Sequence, residues 1–157
     1  MRALSLHQPY AHHVVMGNKT VENRTWRPPI SVIGHRMLIH ATLSTKDYCV
    51  PAEFEDDDQS KLVRGCIIGS VQVDGFVHPD MGIVGGAILQ NGHAAGILDR
   101  VKNDDWFVGP IAWVLSSPRV YETPIAAKGS QRVWFVSDPE TIAAVNVAEM
   151  QAAESQG

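Results

Sequence analysis

Cysteines are few, long apolar runs are absent and acidic residues outnumber basic ones in this 157-residue chain. The two cysteines, Cys49 and Cys66, form no CxxC and have no histidine pair nearby. Neither a disulfide framework nor a zinc ribbon is indicated, and reduced thiols are expected. No stretch is long enough to span a bilayer, and the opening MRALSLHQPYAHHVV is broken by polar residues before an apolar signal core builds up. A cytoplasmic protein, neither secreted nor membrane-inserted, is expected. A net charge of -4 excludes non-specific coating of long duplex DNA, which needs a broad excess of cations. What is present, 45% hydrophobic residues in a chain of this length, suits one globular domain able to bury a core unaided.

The charge is unevenly spread. Residues 1–40 carry Arg2, Lys19, Arg24, Arg27 and Arg36 against Glu22 alone, together with His7, His12, His13, His35 and His40. The rest of the chain is acidic. This leaves room for one local anion site near the N-terminus.

Pattern and punctuation predict several short strands. Arg2 to Leu6 alternates as a half-buried strand, and a helix of roughly 9 to 16 follows, ended by Gly17 in the left-handed conformation. Lys19 to Trp26 reads as extended, Arg36 to Ala41 as a buried strand, and Arg64 to Val77 as a long strand broken at Gly69. Glu53 to Asp58 is an acidic, solvated loop, and the glycine-rich stretch at about 77–105 an irregular insertion. Ile111–Leu115 and Arg119–Thr123 are expected to form a hairpin around Ser116-Ser117-Pro118, with Gln131–Val136 as a closing strand. Ser137 and Glu140 form a capping box for a C-terminal helix whose apolar face holds Ile142, Val145 and Met150. The fold class is α+β: a small barrel spanning 1–136 with short helices over its ends, and an additional helix and tail at 137–157.

In an extended segment Glu22 and Arg24 project to one side, and Lys19 at the preceding turn is free to curl onto it. Such a set binds phosphate through Lys and Arg, while Glu accepts from a base amino group or orients Lys. The alternative is a surface ion pair of little energetic weight. Trp26 is the tryptophan nearest this cluster and the preferred stacking platform; most of the four tryptophans are expected in the core. His12 and His13 are adjacent on a helix and cannot both face one metal. His40 ends a strand beside the cluster, as a satisfied core histidine or a ligand contact.

The run Leu4-Ser5-Leu6-His7-Gln8-Pro9-Tyr10-Ala11, then Gly17-x-Lys19-x-x-Glu22-x-Arg24-Thr25-Trp26 and Leu38-Ile39-His40-Ala41, resembles the ASCH (activating-signal-cointegrator homology) domain and its GxKxxExR hallmark. Later blocks Gly65–Gly69, Trp106–Pro110 and Lys128–Gln131 resemble bacterial and phage members. The resemblance implies a PUA-like barrel with Lys19, Glu22 and Arg24 facing a ligand; Trp26 and His40 join that site as candidates on their position alone. It also implies a partner that is single-stranded RNA, a nucleoside or a nucleotide; a monomer or weak oligomer without a cofactor is expected. Some similar proteins are enzymes. Amidohydrolases of N4-acylated cytidine use the GxK lysine and a threonine three residues on, where this chain has Glu22; that change requires Glu22 to activate water instead. Other members cleave RNA with Tyr, Lys and Ser, roles that fall here to Tyr48, Lys46 and Ser130, with a divalent metal as an optional aid.

Overall fold

A computed structural model describes residues 1–86, 88 and 96–156. Seven strands form one curled sheet: β1 (Arg2–Leu6), β2 (Val21–Arg24), β3 (Arg36–Ala41), β4 (Cys66–His78), β5 (Ile83–Gly86), β6 (Ile111–Ala126) and β7 (Val133–Phe135). Their order is β2-β6-β4-β3-β1-β7, with β5 pairing on β4. All pairings are antiparallel except β1 with β3. The sheet is a half-barrel, because its edge strands β2 and β7 pair inward with β6 and β1 and not with each other.

Both faces of the central strands are covered, which is why β3 is buried continuously from Met37 to Ala41 instead of in alternation. Met37 and Ile39 face the barrel interior with Leu4, Leu6, Ile68, Val71 and the fully buried Trp113. Leu38 faces outward with Ala3, Ile67 and Tyr121, under helix α3 (Pro139–Gln156). The same split runs along β6: Trp113 and Leu115 point in, while Ala112 and Val114 pack under α2 (Ile97–Lys102). Helix α1 (Tyr10–Val15) contributes Ala11, Val14 and Val15 to the interior, and Gly17 follows it at φ +81° as the sequence requires.

Four expectations are corrected. Residues 111–126 form no hairpin but one long strand, with a bulge where Ser70 and Gln72 of β4 face Arg119 and Ser116. Ser117 takes φ +47° there and Pro118, which has no N–H to donate, occupies the irregular step, where a strand tolerates it. β4 is unbroken at Gly69, which lies at another register shift. The glycine-rich stretch is not wholly irregular: Ile83–Gly86 folds back on β4 and Ile97–Lys102 is helical, while residues 87 and 89–95 of it lie outside the described set. The cap of α3 is Asp138, whose carboxylate accepts from Thr141 N at 2.9 Å; Val145, Ala148 and Ala152 make the buried face, and Met150 is exposed. No helix among the described residues is long and apolar enough to cross a membrane. Both cysteines are free thiols.

Candidate functional site

β2 delivers the charged cluster. Lys19 curls back as its position allowed: its Nζ donates to Glu22 Oε2 at 2.8 Å and to the Val21 carbonyl at 2.5 Å. Arg24 stands on the same side of β2, with Nε 3.5 Å from Glu22 Oε1 and no closer partner for that buried nitrogen among the described residues. The three side chains thus form a row, but they do not share one opening. Lys19 and Glu22 line a recess of about 340 Å³ with Tyr10, Asn23, Cys49 and Trp106. Arg24 lines a larger cavity of about 660 Å³ on its other flank. Only 3% of the Lys19 side chain and 11% of Glu22 are exposed, so this pair neutralises itself inside the protein.

The larger cavity lies at the seam of the half-barrel. Arg24 and Trp26, at and just beyond the end of β2, form one wall, and residues 127–132, leading into β7, form the other. Its charged lining is Arg24, Lys128 and Arg132, with no carboxylate. Trp26 packs edge-to-face with Trp113 at 4.8 Å, and Trp113 Nε1 donates to the Trp26 carbonyl at 2.9 Å. The guanidinium of Arg132 lies over the Trp26 ring at 4.9 Å and that of Arg24 at 5.9 Å.

His40 fixes the second wall. Its Nε2 lies 2.7 Å from the Ala127 carbonyl, which can only accept, so Nε2 carries the proton and Nδ1 accepts from Ser5 Oγ at 3.1 Å. Ser5 Oγ in turn accepts from Trp134 Nε1 at 3.0 Å. Burial pushes the His40 imidazole below its ordinary value, only partly offset by the Ala127 carbonyl. The backbone of Gly129 rests directly on this ring; a Cβ there would stand 2.5 Å from His40 Cε1 and 2.7 Å from Ser5 Oγ. Only glycine lets the chain approach so closely.

Of the remaining sequence-derived candidates, Ser130 lines the seam cavity. Tyr48 stacks on His7, a lining residue, at 4.8 Å with rings 6° from parallel, and its hydroxyl lies 3.1 Å from Ser44 Oγ. Lys46 is exposed in the same loop and lines none of these openings. His7 holds Thr42 Oγ1 at 2.7 Å. His13 is buried against Asn18 and Phe54, and no cluster of three metal-ligating side chains occurs among the described residues. Sequence reasoning missed Arg132 and Lys128 as cations of the site. Their only signal was a pair of basic residues four apart around Gly129, which reads equally as a solvated turn.

The architecture has counterparts. The crystal structure of an ASCH protein from Zymomonas mobilis is 19% identical and matches with a TM-score of 0.52, covering 93% of this chain and 94% of that one. That of its Tyr→Phe variant gives the same identity and TM-score over 93% and 96%. At this identity the likeness establishes the fold. No curated protein sequence matches. The ASCH domain model matches residues 4–82, half of the chain, from the LSLHQP run through β2, β3 and all of β4 to the turn before β5. The chain is a member of the ASCH domain family.

Proposed function

We propose that the seam cavity binds single-stranded RNA or a nucleotide derived from it. The observation that carries this is the lining: three cations and a half-buried indole, without a carboxylate, on a chain whose net charge is -4. Cations confined to one concave site neutralise a few phosphates, and an aromatic face stacks any base. The volume suits one or two nucleotide units. ASCH domains are generally RNA-binding, which agrees with this assignment. In this reading Arg24 and Trp26 touch ligand, His40 braces the wall that carries Lys128, and the Lys19–Glu22 pair holds Arg24 from behind. Binding of a fluorescent single-stranded oligoribonucleotide tests it: Arg24→Ala and Lys128→Ala should each weaken binding about tenfold, the loss expected for a charge-assisted phosphate contact. Unchanged affinity in both removes the cavity from the account.

A hydrolase is the second reading. Ser130 on the cavity wall, with Tyr48 stacked on the lining residue His7, favours RNA cleavage over removal of an acyl group from N4-acylcytidine. Lys19 and Glu22, the pair on which an amidohydrolase would depend, are already engaged with each other. Labelled single-stranded RNA incubated with and without magnesium decides: products lost in Ser130→Ala and Tyr48→Phe support cleavage, and intact RNA in both conditions sinks it.

A further inference from the structure

Resting on the nucleotide-binding reading, we infer that Arg132 is a clamp for the ligand: in the free protein it occupies the Trp26 ring, and on binding it yields that ring to a base and turns onto the phosphate.

Three observations converge on this residue. Arg132 takes φ +59°, a conformation uncommon for a side chain other than glycine, asparagine or aspartate, and one that clusters at ligand clamps and switch segments. Its guanidinium is exposed, has no hydrogen bond or ion pair among the described residues, and rests only on Trp26 at 4.9 Å. It also sits on a short stretch between two fixed points. On one side Ala127 accepts from His40 and Gly129 lies against that ring; on the other, Val133 is in register with Leu4 of β1. Ser130, Gln131 and Arg132 are the exposed residues between those two points.

The exchange runs in the required direction. An exposed cation over an indole is held weakly, whereas a base stacked on an indole is held more strongly. The displaced guanidinium is planar and permanently charged, and a phosphate oxygen pair is its best partner. Arg24, at 5.9 Å from the same ring and backed by Glu22, is the fixed cation of the site, and Arg132 the moving one.

The test compares the parent, Arg132→Gly and Arg132→Lys for binding of a short single-stranded oligoribonucleotide, with thermal unfolding of each protein. Glycine accepts the positive φ, so Arg132→Gly keeps the backbone and should not lower the unfolding midpoint. It should weaken binding on the order of tenfold and make the salt dependence shallower by about 0.7 in log–log slope, the value of one phosphate contact on a single strand. Arg132→Lys keeps the charge but not the planar stack, and should restore the slope more fully than the affinity. In the parent, the Arg132 side-chain NMR signals should start shifted by the Trp26 ring current and lose that shift on saturation with the oligoribonucleotide. Parent-like affinity of Arg132→Gly, with Arg24→Ala and Lys128→Ala both impaired, overturns the clamp and leaves the binding site standing. Arg132 signals unmoved at saturation also overturn it, and no binding by the parent overturns both.

Discussion

Lys19 and Glu22 are the charged side chains that the described part of the molecule buries, and their partners are unequal. Glu22 holds Lys19 on one oxygen and faces Arg24 with the other, while Lys19 has, beyond Glu22, one backbone carbonyl and the face of the Tyr10 ring at 5.7 Å, neither of them an opposite charge. Removing Glu22 strands a buried ammonium; removing Lys19 leaves Glu22 with Arg24. Glu22→Ala should therefore cost about 3–5 kcal/mol and Lys19→Met less than half of that, read from urea unfolding midpoints at constant slope. Equal losses would mean that Arg24 gives Glu22 no support. The co-location of Glu22 and Arg24 was legible from the period of two along a strand, and that of Lys19 from its place at the turn before it. Their division between two openings was not, because it depends on Arg132 reaching Trp26 from more than a hundred positions away. His12, His13 and His40 add a pH dependence: burial holds each below its ordinary value of 6.5. The unfolded chain then binds more protons than the folded one just below pH 6.5, so stability is complete above that value and falls as pH drops toward the folded-state values. His40→Gln should flatten part of that fall in unfolding midpoints taken from pH 7 to 5; an unchanged profile would exclude His40 as a contributor.

Helix α3 shows why an element's existence is easier to read than its attachment. Ser137, Pro139 and Glu140 announced its start, although Asp138 is the residue that caps it; of its buried face Val145 was legible, while Ala148 and Ala152 are too small to stand out in a pattern. What adds to that thin apolar seam is Glu149, which accepts from Arg119 Nη1 at 2.5 Å and from the Tyr121 hydroxyl at 2.5 Å, and lies 3.4 Å from Arg36 Nε. These partners come from β6 and β3, so the one carboxylate ties the helix to two strands. Burial raises the Glu149 carboxyl, but hydrogen bonds with Ser70, Tyr121 and Arg119 and the charge of Arg36 outweigh it and hold the group below its ordinary range. Its stabilisation is present above pH 4.5, the ordinary carboxyl value, and is lost as pH falls through the lower folded value. Glu149→Ala should cost about 2–3 kcal/mol, since it leaves two arginines and a phenol without their shared acceptor. Denaturant unfolding at pH 7 measures this, and the gap from the parent should narrow in acid; a gap constant with pH would contradict an ionised Glu149. β6 failed in the opposite way: Ser-Ser-Pro is a good turn sequence, and only the neighbouring β4, long enough to pair on both sides of Pro118, carries the strand through it.

For the whole molecule, charge counted along the chain located only part of the site. Arg24 comes from the basic first 40 residues, but Lys128 and Arg132 belong to the acidic remainder and lie beyond the 4–82 segment matched by the family model. Closing the sheet almost into a barrel brings its two edges together, and cations distant in sequence meet across the gap. The barrel architecture was legible because strand signals recur at short spacing; which edges meet was not, since that depends on the order β2-β6-β4-β3-β1-β7. The electrostatic consequence is measurable. Three seam cations should release counterions from about three phosphates, giving a log K against log salt slope of about -2 for a single-stranded oligoribonucleotide. Lengthening the oligonucleotide beyond the cavity should leave that slope unchanged, because the surrounding body is acidic. A slope of about -4 or steeper, growing with length, would place phosphates on a wider surface and refute recognition confined to the seam; a slope near zero would remove Arg24, Lys128 and Arg132 from phosphate binding altogether.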